Sequence, residues 1–199
     1  NIAIFASGSG TNAENIARYF ANSENVNVAV VLSNNRNVGV HGRVNKLGVP
    51  SFVFSREEFI AGVPILEKLA EYDVCLIVLA GFMNKISDVI LQAFPGKIVN
   101  IHPALLPKYP DKIINIHPAL LPKFGGKGMY GDKVHQAVVA AGEKETGITI
   151  HYINEHYDEG AIIFQASCPV LPSDTPEEVA SKVHALEYAH YPHVIESLL

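Results

Sequence analysis

Three short stretches of this chain bring together residue types that do chemistry. The first is Ser7-Gly8-Ser9-Gly10-Thr11-Asn12. Small residues at the start of a helix let backbone N–H groups approach an anion, and Thr11 and Asn12 add side-chain donors. The stretch lacks the lysine of a Walker loop, and Ala13 stands where a dinucleotide fingerprint has its third glycine. A tight strand-to-helix turn that uses glycine for steric reasons is the plainer alternative. The second stretch is Asn-Ile-His-Pro, at Asn100–Pro103 and again at Asn115–Pro118. In a strand, residues two apart point the same way, so an amide and an imidazole stand side by side. An amide N–H can donate to a carbonyl oxygen, and a protonated imidazole can stabilise an oxyanion. A histidine at a strand end is also a common structural surface residue. The third stretch runs from His151 to Gly160 and includes Asp158. A carboxylate near an imidazole raises its pKa and can relay a proton, although an aspartate just before a glycine turn is equally a turn former. His151, Glu155 and His156 match no compact zinc spacing, and no metal is expected.

These residues need elements to hold them. The run Ile2–Ala6 reads as a strand that meets Gly8 and Gly10, followed by a helix over Thr11–Phe20. Further strands are predicted at Val26–Leu32, Ser51–Phe54 and Asp73–Leu79, with helices at Val40–Leu47, Glu57–Tyr72 and Ile86–Ala93. Pro64 implies a break in the longest of these helices. Near-continuous apolar strands alternating with helices suit a parallel sheet covered on both faces. The second half differs. A helix over Asp132–Ala141 precedes strands at Thr149–Ile153 and Ala161–Ala166, close enough together to pair antiparallel. Thr175-Pro176-Glu177-Glu178 starts a last helix with a capping side chain, a proline at the first position and acids near the positive end of the dipole. That helix is predicted to end near Tyr188.

The bulk numbers narrow the function classes. The chain has 199 residues, 48% hydrophobic and 18% charged, an ordinary globular balance. A formal net charge of −5 argues against an electrostatic nucleic-acid binder. No apolar run reaches the ~18 residues of a membrane span, and Asn1–Phe5 reads as a strand rather than a leader. Cys75 and Cys168 lie far apart in apolar runs and are expected to be buried free thiols. A cytoplasmic enzyme acting on small molecules fits these features.

The middle of the chain holds a tandem repeat. Phe94–Lys108 and Tyr109–Lys123 are two copies of one 15-residue segment that differ at three positions, Phe/Tyr, Gly/Asp and Val/Ile. A single doubling is not a solenoid, which needs several units.

In order along nearly the whole chain, Ser7–Asn12, Leu79–Met83, Asn115–Phe124, Ile150-His151 and Asp158–Gly160 resemble the motifs of the glycinamide ribonucleotide transformylase family. The resemblance implies an α/β fold, with a Rossmann-like, mostly parallel sheet, helices on both faces and antiparallel strands added in the C-terminal half. It implies one domain in two halves, residues 1–93 binding the ribonucleotide and residues 94–199 carrying catalysis and folate binding. Asn115 and His117 would be the catalytic pair, with Asp158 as their carboxylate partner. Gly10, Thr11 and Asn12 would hold the ribonucleotide phosphate, and Glu187 would contact the same substrate. Met83, Asn84 and Ile86 would border the folate, with Arg56 near the substrates. His184 sits where the family varies. The co-substrate would be 10-formyltetrahydrofolate, whose formyl group passes to the amine of glycinamide ribonucleotide.

The chain departs from the family pattern in two places. Its Gly125–His135 stretch is longer than in many relatives, and it carries two copies of the Asn/His pair where the family has one. The second copy is expected to take the sheet position beside Asp73–Leu79 and to do the chemistry, because it runs straight into Phe124-Gly125-Gly126. Two rival readings remain: a formyl-folate enzyme that uses another acceptor or water, and a nucleotide-binding chain without activity. The glycine stretch weighs against the first and the Asn/His/Asp set against the second.

Overall fold

The computed structural model describes residues 1–100, 113–153 and 156–199. The chain divides into two compact units, Asn1–Asn100 with Ile195–Leu199, and Ile101–Val194.

The first unit alternates strands and helices as the apolar runs predict. Its elements are β1 (Ile2–Phe5), α1 (Thr11–Phe20), β2 (Val28–Ser33), α2 (Gly39–Asn45), β3 (Ser51–Val53), α3 (Arg56–Ala61), α4 (Val63–Glu71), β4 (Leu76–Leu79), α5 (Asp88–Ala93) and β5 (Ile98–Asn100). The strands run parallel in the order β3-β2-β1-β4-β5. Every residue of β1, β2, β4 and β5 is buried, which explains why these strands read as unbroken apolar runs instead of alternating ones. The chain moves outward from β1 through β2 to β3, then returns to β4 on the other side of β1. The reversal lies between β1 and β4, and in open parallel sheets ligands sit outside the carboxyl ends of the strands at such a switch point.

Local chemistry corrects several predicted boundaries. The long helix is two. Ser55 and Glu58 form a reciprocal capping box that starts α3 at Arg56, and Gly62, at φ 77°, ends it. Pro64 then falls in the first turn of α4, where its missing N–H costs nothing. Asp73 sits at φ 49° in the turn after α4, so β4 starts at Leu76. Phe5, Phe54, Phe59 and Phe82 pack with ring centroids 5.0 to 6.4 Å apart and pin the carboxyl end of β1 to the segments after β3 and β4. Cys75 is exposed and Cys168 half-buried, both free, so the expected burial of the thiols does not hold. Cys75 comes just before β4, where its Sγ lies against the amino terminus rather than in the core.

The second unit contains β6 (Ile113–His117), α6 (Asp132–Ala140), β7 (Glu145–Tyr152), β8 (Ile162–Pro169) and α7, which runs from Pro176 to Ser197. β6 pairs antiparallel with β7, and β7 with β8. The fold is thus α/β, mostly parallel, with antiparallel strands in the C-terminal half. α7 continues well past Tyr188 and carries Pro192 within it.

Both copies of the repeat form strands, but the second does not take the place beside β4 that was expected of it. The first copy takes the place beside β4, with Leu79 opposite Asn100, as β5. The second copy, β6, instead places Asn115 opposite His151 of β7. His102 and Pro103 of the first copy lie outside the described residues, as do Asn154 and Glu155.

Candidate active site

In the first unit the glycine stretch forms the turn between β1 and α1. Gly10 is the residue before the helix, at φ 79°, and a Cβ there would lie 2.6 Å from the backbone of Val40. Both conformation and space therefore demand glycine. No side chain caps α1, so the first-turn amides of a ten-residue helix are presented beside Thr11 and Asn12. Thr11 is exposed and Asn12 half-buried. The Arg43 guanidinium, which sequence reasoning did not single out, donates to the Ser9 carbonyl at 3.0 Å and also bonds Glu14. Hydrogen bonds from Arg18 and Arg43 hold the Glu14 carboxyl below its ordinary pKa, so this acid in the first turn of α1 is compensated by two cations.

The segment after β4 supplies the residues predicted to border a folate. Gly81 turns the chain at φ 68°, Phe82 is buried in the aromatic cluster, and Met83 is 80% exposed. Asn84 is exposed, whereas Ile86 is buried. Arg56 opens α3 with an exposed side chain.

In the second unit, β6 and β7 bring Asn115, His117 and His151 together with Asp158. Asn115 and His117 are two apart on one strand and both are fully buried. The His117 Nε2 donates to the Phe124 carbonyl at 2.8 Å. Its Nδ1 has no hydrogen bond and lies 3.6 Å from the Asp158 Oδ2. With a proton on Nε2, a neutral ring would point a lone pair at the carboxylate, and a protonated ring would point an N–H. Burial pushes the His117 pKa below its ordinary value, while Asp158 and the Phe124 carbonyl pull the other way. His117 is thus a buried ring whose proton count is set by the competition between desolvation and one carboxylate.

His151 resolves to a single tautomer. Its Nδ1 faces the Tyr152 carbonyl at 2.9 Å and must carry the proton, so its Nε2 accepts from the Asn115 Nδ2 at 3.3 Å. Burial lowers its pKa, consistent with a neutral ring. This contact fixes the Asn115 amide, leaving its second N–H and the unpartnered Oδ1 for a ligand.

The supports of this cluster are backbone features that sequence reasoning missed. Phe124 at φ 55° and Asp158 at φ 59° are two of the three non-glycine residues at positive φ among the described residues. Both touch His117, and strained backbone gathers at functional sites. Gly125 lies 3.1 Å, measured from an added Cβ, from the Asp158 Cβ, so a side chain there would crowd the aspartate. The Gly126 N–H donates to the Asp158 Oδ2 at 2.8 Å. Thr149 donates to the Ala119 carbonyl at 2.7 Å and accepts from the Leu121 N–H at 2.9 Å, tying the chain after β6 to β7. Among these, the signal available in the sequence was the Phe124-Gly125-Gly126 run.

On α7 the buried residues Val179, Val183, Glu187, Tyr191 and Ile195 follow one another at intervals of four and form one stripe of the helix. Glu187 and Tyr191 thus put a carboxyl and a phenol into an apolar stripe, and among the described residues the Glu187 Oε1 and the Tyr191 hydroxyl have no hydrogen-bond partner. Burial pushes the Glu187 carboxyl up to about 7. Tyr191 is raised well above its ordinary value by burial and by the Glu187 charge. His184, on the exposed side, contacts the ring of His135 on α6 with centroids 6.2 Å apart. Among the described residues no group of three or more potential metal ligands gathers.

A doubly wound parallel sheet with a glycine turn at its switch point in one unit, and an antiparallel unit bearing an Asn/His/Asp cluster, define the chain as an α/β enzyme. The pattern of the family described as formyl transferase matches residues 1–111 and 108–195, and the chain belongs to that family. Each matched stretch takes in one copy of the repeat. The chain is 35% identical over 203 residues to the chloroplastic phosphoribosylglycinamide formyltransferase of Arabidopsis thaliana, covering 99% of this chain but only 64% of that protein. It is 37% identical over 202 residues to the phosphoribosylglycinamide formyltransferase of Bacillus subtilis, covering 99% of this chain and 93% of that protein. The crystal structure of the enzyme of that name from Anaplasma phagocytophilum superimposes with a TM-score of 0.74 at 34% identity, covering 96% of this chain and 83% of that one.

Proposed function

We propose that this chain transfers the formyl group of 10-formyltetrahydrofolate to the primary amine of glycinamide ribonucleotide, the step of purine synthesis that its relatives' names describe. The observation that carries this reading is the buried Asn115/His117/Asp158 cluster, in which the chain holds strained backbone at Phe124 and Asp158 around one imidazole. Acyl transfer to an amine needs a donor for the oxyanion and a route for one proton, and this cluster has both. The remaining N–H of Asn115 is the donor aimed by His151. His117 has its Nε2 bonded to the Phe124 carbonyl, so it acts through the charge it carries when protonated. Asp158 favours that charge and takes part in moving the proton from the attacking amine towards the folate nitrogen as the old C–N bond breaks. No covalent enzyme intermediate is required.

The remaining predicted residues supply binding. The α1 amides with Gly10, Thr11 and Asn12 suit the phosphate, because a helix N-terminus reached through glycine accepts an anion without a side-chain cation. Glu187, with an unpartnered oxygen, suits a hydroxyl-bearing part of the same substrate. Met83, Asn84, Ile86 and Arg56 are assigned to the folate. The exposed free thiol of Cys75 suits a reducing compartment such as the cytoplasm. The test is release of tetrahydrofolate from 10-formyltetrahydrofolate, measured with and without glycinamide ribonucleotide. Release that needs the ribonucleotide supports the reading. Release without it means transfer to water, and none at all means an inactive chain.

A further inference from the structure

Ser7 stands at the carboxyl end of β1, next to the switch point, and three of its contacts lead to two other loops. Its backbone N–H donates to the Gly81 carbonyl at 3.1 Å. Its Oγ accepts from the Met83 N–H at 3.1 Å. The same Oγ donates to the Asn34 Oδ1 at 2.7 Å, in the turn that leaves β2. The donor and acceptor capacity of one hydroxyl is thus used to join the segments after β1, β2 and β4. Asn34 fixes the Ser7 rotamer, and Ser7 fixes the backbone of Met83, whose side chain remains 80% exposed. On its other side the glycine turn is anchored to α2, where the Val40 N–H donates to the Gly8 carbonyl at 3.3 Å and Arg43 donates to Ser9.

We propose that Ser7 is a positioning residue that couples the phosphate-binding turn to the folate-binding segment, so that ribonucleotide bound at Gly10–Asn12 tightens folate binding at Met83. The inference rests on the assignment of those two segments under the proposed function. An anion held by the α1 amides orders the turn that carries Ser7. The ordered Ser7 then holds the Met83 amide in the conformation that a folate ring meets, at no further entropic cost. Coupling of this kind is reciprocal, so folate tightens the ribonucleotide by the same factor.

The test measures the Kd of tetrahydrofolate, with and without saturating glycinamide ribonucleotide. In the unaltered protein the ribonucleotide should lower that Kd about two- to twelvefold, the range set by one hydrogen bond. Ser7→Ala should bring the ratio close to one and raise the folate KM, with a smaller effect on kcat at saturation. Asn34→Ala should do the same, Asn34→Asp, which keeps the acceptor, should preserve the coupling, and the Ser7→Ala/Asn34→Ala double variant should lose no more than Ser7→Ala alone. A ratio of one in the unaltered protein, or a ratio that survives Ser7→Ala, overturns the proposal. Met83→Ala separates the two levels of inference. If it leaves tetrahydrofolate binding unchanged, the folate assignment of the segment fails. If it weakens binding while Ser7→Ala leaves the ratio intact, the coupling alone fails.

Discussion

Replacing Glu187 by glutamine should stabilise the free protein above neutral pH and weaken its hold on the ribonucleotide. Glu187 is 3% exposed within the apolar stripe of α7, and its Oε1 has no partner among the described residues. Burial disfavours the charged form and moves its pKa from 4.5 to about 7. The folded state therefore holds more protons than the unfolded chain between those values, and stability falls as pH rises through that window. The full rise corresponds to about 3 kcal/mol. Glutamine has nearly the same shape and no charge, so the penalty disappears with it. Near pH 4.5 the two proteins should melt together, because the folded-state Glu187 side chain is then almost wholly protonated. At pH 8 the variant should melt roughly 6–12 °C higher, since each kcal/mol moves a chain of this size by about 2–4 °C. Comparing the variant with the parent at each pH cancels the other titrating groups. Calorimetric melts without substrate at the two pH values are sufficient, and the same variant should show a raised KM for glycinamide ribonucleotide. A melting difference that is the same at both pH values, or a variant less stable at pH 8, would refute the claim that Glu187 is a buried and destabilising carboxyl.

Three further outcomes are expected from the geometry. Gly10→Val should raise the KM for the ribonucleotide far more than that for the folate, because it forces a β-branched residue to φ 79° with a Cβ 2.6 Å from Val40; equal effects on the two KM values would sink the phosphate assignment. Asp158→Asn should lower kcat by roughly 10²-fold or more and leave the far-ultraviolet spectrum unchanged, since asparagine tolerates the left-handed backbone but cannot favour a charged imidazole; near-normal turnover would reduce Asp158 to a turn former. His117→Ala should abolish transfer and His102→Ala should leave most of it, and the reverse pattern would move the chemistry to the first copy.

Much of this architecture could be read from the sequence. The bounds of α1, Thr11–Phe20, are those expected from the glycine turn and the amphipathic run behind it. The parallel strands were legible because burial on both faces leaves no polar alternation. The elements that went wrong did so for local reasons. Gly62 outranks Pro64 as the helix break, because proline in a first turn is harmless and glycine at positive φ ends a helix. α7 runs past its expected end and accommodates Pro192 inside it. In the candidate site, Asn115, His117 and Asp158 were visible as residue types at suggestive spacings. The Phe124 carbonyl was not, because nothing in a phenylalanine announces a left-handed backbone, and a main-chain acceptor has no residue signature. His151 was visible as a residue, but its task of aiming the Asn115 amide depends on which strand lies opposite, and pairing is decided by the tertiary structure.

Strand pairing also separates the two copies of the repeat. Asn100 and Asn115 occupy equivalent positions in nearly identical segments, both form strands and both are buried. Neither propensity nor hydrophobic pattern can therefore distinguish them. Their partners can. Asn100 faces Leu79 across a parallel pair. Asn115 faces His151 across an antiparallel pair, and the loop after β7 brings Asp158 to within 4 Å of both His117 and His151. The segment after the second copy supplies the Phe124 carbonyl and the Gly126 N–H that hold the His117 and Asp158 side chains. A copy of the motif acquires an aimed amide and a carboxylate-flanked imidazole from its partner strand and from the segment downstream of it. Among the described residues the second copy thus stands in an Asn/His/Asp cluster, at Asn115, His117 and Asp158.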